Sequence, residues 1–209
     1  MPSILVLVER GPDSAIVLRR ALTLARYLQA DVIATLAGES SEGEHADAYY
    51  LDILIKSFGP TGERVRTVVR RAKTDRQDLR ALTEGHNVRM LIGGAVSPNY
   101  FAASPEPRSL AIMLARPLLV TAGSTWAPVP RVVVIRETEG SQSTPGARRW
   151  ARELAQACNA SVVEWAGIDS CRLAADRPDI VLLSTGSTTP LPPHSRSHQP
   201  DWMWVPVGD

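Results

Sequence analysis

The chain of 209 residues carries 23 Lys+Arg against 22 Asp+Glu, a formal net charge of +1 at pH 7, so no global field draws it to nucleic acid or an anionic membrane. Its 44% hydrophobic residues are ample for a core, in one large or two small domains. The sequence shows no signal peptide and no 18-residue apolar span, which makes a soluble cytoplasmic protein the expectation, and Cys158 and Cys171 form no CxxC pair.

Ser3–Ala37 reads as strand, turn, helix, strand. Ile4–Val8 is an uninterrupted apolar run, the pattern of a strand covered on both faces in a parallel sheet. Arg10–Gly11–Pro12 makes the turn, and Asp13 or Ser14 can cap the helix that follows. In that helix Val17, Leu18, Ala21, Leu22, Ala25 and Leu28 share one face, with Arg19, Arg20, Thr23, Arg26 and Gln29 on the other. Val32–Leu36 then resumes the strand pattern, and the intervening helix predicts a parallel, right-handed crossover.

After the polar loop Gly38–Glu44, a second helix is predicted over His45–Phe58, on the spacing of Ala48, Leu51, Ile55 and Phe58, with Tyr49, Ile53 and Leu54 broadening the face. Val65, Val68 and Val69 among arginines suit an edge strand, and a short helix runs from a Thr74 or Asp75 cap through Leu79 and Leu82 to Gly85. Met90–Ile92 is a buried fourth strand entering Gly93–Gly94, where a tight turn is expected. Beyond the proline-containing stretch Ala95–Pro107, Ser109–Ala115 makes a short helix and Leu118–Thr121 a fifth strand.

Ser124–Pro130 is a stiff joint, after which the opening pattern returns. Val132–Ile135 repeats the first strand, and Thr144–Pro145 opens a helix striped by Ala147, Trp150, Ala151, Leu154, Ala155 and Cys158. Leu24–Ala25 aligns with Leu154–Ala155, and Val32–Ile33 with Val162–Val163. Only Gly167–Pro178 separates Trp165 from the next strand, Asp179–Leu183, so this copy lacks a helix and an edge strand. The last strand is Trp202–Val207, with Trp202 and Trp204 on one side and, with Trp126, expected in a seam between the copies. The division is therefore 1–123, linker 124–130 and 131–209.

Several chemistries are excluded by pattern. There is no G-x-G-x-x-G after the first strand, no P-loop and no G-x-S-x-G elbow. His194, His198 and Asp201 invite a metal reading but lie in a Pro/Ser-rich segment without a helix to align them, and no metal site is expected. Cys158, on an apolar stripe, reads as a buried inert thiol.

The opening ILVLVERGPDSAIVLRRALTLARYLQADVIATLAGE, the strand MLIGG and the closing RPLLV resemble the universal stress protein family, with the joint PLLVTAGSTWAPVPRVVVI resembling its tandem members. The resemblance implies an α/β fold of two Rossmann-like units of the adenine nucleotide alpha hydrolase-like kind, the second truncated. It also implies a non-enzymatic stress-response protein whose two copies form a pseudo-dimer, a homodimer through the same edge being the other arrangement; the sequence names no protein partner. ATP-binding members carry Gly-x2-Gly-x9-Gly-Ser/Thr after strand four and an acidic residue ending strand one. Glu9 and Gly93 match, whereas Val96 and Glu106–Pro107 do not, and a carboxylate with a proline there opposes phosphate. In the second copy the strand-one terminus is Arg136, and Gly186–Ser187 runs into a proline loop. No cofactor is expected. ATP or AMP, with slow ATPase activity, is the alternative, held in a cleft of Glu9, Gly93, Gly94 and Arg108.

Overall fold

The computed structural model describes residues 1–36, 44–67, 76–94, 107–122, 126–135, 145–185 and 200–207. The chain divides into two compact units, Met1–Glu106 and Pro107–Asp209.

The first unit contains β1 (Ser3–Val8), α1 (Ser14–Leu28), β2 (Asp31–Leu36), α2 (Glu44–Lys56), a 3-10 turn (Gly59–Arg64), β3 (Val65–Thr67), α3 (Arg76–Gly85) and β4 (Val88–Gly94). Its strands lie in the order β3-β2-β1-β4, all parallel, with Ile4 opposite Val32 on one side and Met90 on the other. Every residue of β1 is buried, as the continuous apolar run requires of a central parallel strand. β3 is the edge, in keeping with its exposed Arg66.

Helix α1 buries Val17, Leu18, Ala21, Leu22, Leu24 and Ala25; truncating any of the large ones would cost about 2–5 kcal/mol. Arg20, assigned by periodicity to the solvent face, is buried instead. The stripe is wider than the six positions that defined it, and a long arginine can lay its methylenes along apolar surface. In α2 the inward residues are Asp47, Tyr50, Leu51, Leu54 and Ile55, whereas Ala48 is exposed and Tyr49 and Ile53 are 67% and 50% exposed. The predicted face was rotated because polar Asp47 and Tyr50 are drawn inward by partners distant in sequence.

The second unit contains α4 (Pro107–Leu114), β5 (Leu118–Thr121), β6 (Arg131–Ile135), α5 (Pro145–Cys158), β7 (Ser161–Trp165), α6 (Ser170–Asp176), β8 (Ile180–Ser184) and β9 (Asp201–Val205). The order is β5-β9-β8-β6-β7, parallel except where β9 meets β5 antiparallel, with Leu118 opposite Trp204 and Val120 opposite Trp202. β9 ends two residues before the predicted limit, since Pro206 has no amide proton to extend a ladder. Trp204 is buried and Trp202 half-buried. α4 and β5 belong to the second unit, where β5 pairs with β9.

The two β–α–β runs share details beyond their order. α1 ends at Gln29 with φ 51°, and the helix of the second run ends at Asn159 with φ 53°. Ala30 N donates to Ala25 O as Ala160 N donates to Ala155 O, and Asp31 N donates to Pro2 O as Ser161 N donates to Pro130 O. Both runs close their helix with a left-handed residue that turns the chain straight into the next strand. Cys158 is buried, and burial pushes its thiol up to about 11, so it stays protonated at neutral pH.

Candidate functional site

At the carboxyl ends of β1 and β4 in the first unit lies a cleft of about 150 Å³, lined by Leu7, Glu9, Arg10, Gly11, Pro12, Asp13, Ser14, Val17 and Gly94. This is where open parallel sheets place ligands. Gly93 and Gly94 are the last residues of β4 itself, so the expected turn begins later; no positive φ demands glycine at either position. What Gly94 supplies is space, because a Cβ there would sit 3.4 Å from Val17 Cγ2. Gly93 lies opposite Leu7 in the ladder and is not part of the cleft wall.

Glu9 is half-buried at the end of β1, and burial pushes its carboxyl pKa above the ordinary 4.5. Next to it Arg10 Nη2 donates to Asp47 Oδ1 at 2.9 Å, with its guanidinium 5.5 Å from the centre of the Tyr50 ring. Tyr50 OH donates to Ser14 Oγ at 2.8 Å, and Ser14 Oγ donates to Gly11 O at 2.8 Å. Helix α2 is thereby pinned onto the β1–α1 turn.

The start of α1 is similarly engaged. Ser14 N donates to Gly11 O, and Ile16 N and Val17 N donate to Asp13 O. Asp13 stands at the cap position but in helical backbone geometry, and its side chain makes no capping bond. These amides are therefore turned into the chain rather than toward an anion. The Ser14 hydroxyl proton is held by a carbonyl, which leaves it without the adjacent base that a nucleophile needs.

Of the four predicted site residues, Glu9 and Gly94 line this cleft. Arg108 belongs to the second unit, where its Nε donates to Thr185 O at 2.6 Å. Sequence reasoning missed Arg10, Asp47, Ser14 and Tyr50 as a cluster, because the partners lie 36 and 37 positions apart. The residues of the predicted phosphate loop, Val96 and Glu106, lie outside the described residues, as do Arg136, Gly186, Ser187, His194 and His198. Asp201 is buried and accepts from Ala122 N and Trp126 Nε1. Among the described residues no group of three metal-ligating side chains forms, and no helix is long and apolar enough to cross a membrane.

No protein-family model matches the chain, and no curated protein matches it. Its fold does match solved structures. One is a candidate universal stress protein of Pseudomonas aeruginosa UCBPP-PA14, at TM-score 0.63 and 12% identity, covering 98% of this chain and 92% of that one. Another is a functionally unknown protein of Pseudomonas aeruginosa PAO1, at TM-score 0.61, 12% identity and the same coverage. A third is a universal stress protein of Archaeoglobus fulgidus DSM 4304, at TM-score 0.55 and 9% identity, covering 99% and 97%. The chain therefore has the mixed α/β, Rossmann-like fold of universal stress proteins.

Proposed function

We propose that this chain is a non-enzymatic, universal stress protein-like regulatory protein of the tandem kind, acting in the cytoplasm, whose nucleotide loops are degenerate. The observation that carries this reading is the composition of the β1–β4 cleft. Its volume of about 150 Å³ is half the lower end of the 300–1,000 Å³ range usual for small-molecule sites. Its cation, Arg10, is engaged by Asp47. The antiparallel β5–β9 pairing supports a pseudo-dimer of the two copies within one chain, with a homodimer as its competitor.

A second reading, ATP or AMP binding with slow ATPase activity, draws on Glu9 and Gly94 meeting in one cleft at the switch point of a parallel sheet. Isothermal titration of the whole chain with ATP and AMP separates the two. The expected result is no saturable heat in the micromolar range; micromolar binding abolished by Gly94→Pro would replace the first reading by the second. The regulatory role is checked by deleting the gene and following survival through growth arrest, where unchanged survival counts against it.

A further inference from the structure

The connection between β5 and β6 is fastened by two buried carboxylates. Asp201, 0% exposed at the start of β9, accepts from Ala122 N through Oδ1 and from Trp126 Nε1 through Oδ2, both at 2.9 Å. Asp179, 4% exposed just before β8, accepts from Ala127 N at 2.9 Å and from Arg131 N at 2.8 Å. The two are joined through the backbone, since Asp201 N donates to Asp179 O and Asp179 N donates to Arg131 O. Ionised acceptors make the stronger class of hydrogen bond, and a buried carboxylate that loses a donor is left uncompensated.

The residues so held, Trp126-Ala-Pro-Val-Pro-Arg131, include Pro128 and Pro130. Proline pushes the residue before it toward extended geometry, so the local preference of this stretch is to open. What it joins is β5, at the end of the first copy, to the second copy, whose β9 pairs with β5 over only three residue pairs. A short seam with a hinge beside it is the arrangement from which identical chains exchange elements.

We propose that Asp179 and Asp201 form a latch that holds this hinge closed and keeps the β5–β9 seam within one chain. Released, the second copy of one chain pairs with β5 of another, giving an exchanged dimer. The latch rests on the proposed tandem pseudo-dimer and is independent of whether the cleft takes a nucleotide.

The test uses Val120→Cys with Trp202→Cys, which are register partners, in the full chain with Cys171→Ser so that no exposed native thiol competes. Antiparallel partners lie within disulfide reach. With the latch intact, oxidation is expected to give an intrachain product that migrates as a monomer on a denaturing gel. With Asp179→Asn and Asp201→Asn, each amide nitrogen faces a donor where an acceptor stood, and a several-fold rise in the interchain product is expected at high protein concentration. An interchain product that is already dominant with the latch intact overturns the proposal, as does an unchanged intrachain product in a latch variant that keeps its circular dichroism spectrum. Should the double variant fail to fold, Trp126→Phe, which removes one donor and keeps both carboxylates, decides by the same readout.

Discussion

In the first β–α–β run the second strand, β2, is flanked by β3, and Val32, Ile33 and Ala34 are 1%, 2% and 0% exposed. In the second run its counterpart, β7, is the last strand of its sheet, and Val162 and Val163 are 39% and 38% exposed. The strands, their helix and the left-handed residue between them are built alike, so cover, not local sequence, sets the burial. Counting from Leu24–Ala25 against Leu154–Ala155, positions Leu18, Leu22 and Ala34 correspond to Arg148, Arg152 and Glu164. Arg148 forks onto Glu164, with Nε to Oε1 at 2.9 Å and Nη2 to Oε2 at 3.2 Å. Three apolar positions of one run are thus polar in the other, which has no covering strand among the described residues.

The contrast can be broken most directly by truncating one valine or isoleucine on each side. Ile33→Ala is expected to cost about 2–5 kcal/mol in urea unfolding and Val163→Ala about 1 kcal/mol or less; equal costs would mean that β7 is covered in solution. Thr35 comes next. Its Oγ1 is buried without a hydrogen-bond partner among the described residues, so Thr35→Val is expected to leave stability unchanged or raise it by up to about 1 kcal/mol. A loss larger than that would reveal a partner for the hydroxyl.

Glu164→Ala should cost no more than about 1 kcal/mol, and less at high salt, because its pair with Arg148 is about one-third exposed on both sides. A salt-independent loss would place the pair in a drier setting than β7 provides. The smallest effect belongs to Glu9. Burial raises its folded-state pKa above 4.5, so the native form keeps this proton to higher pH than the unfolded chain does. Stability from this group is fully present below about 4.5 and declines as pH rises through the folded value. Glu9→Gln should flatten that slope, and an unchanged pH profile of the melting temperature would show Glu9 to be solvated.

Continuous apolar runs made the strands legible, from Ile4–Val8 through Leu118–Thr121 to Val132–Ile135, because a parallel strand buried on both faces can contain little else. The direction of β9 against β5 was not legible, since direction depends on where the intervening chain leads. Glu9 and Gly94 were legible as neighbours because each lies where a strand ends on the same side of a parallel sheet. Their neighbours Arg10, Ser14, Asp47 and Tyr50 were not, since nothing in a polar loop and a helix announces that they meet. The Thr185 carbonyl that Arg108 Nε meets lies 77 positions away, and nothing in the sequence announces that partner.

Gly94 makes the cleft adjustable from within. A methyl group at that position would come to rest on Val17 Cγ2 at ordinary contact distance, whereas any longer side chain must occupy the void itself. A graded series from alanine to leucine therefore works as a set of plugs of increasing size: whichever guest the hollow accepts, the first plug to expel it measures how deep that guest reaches.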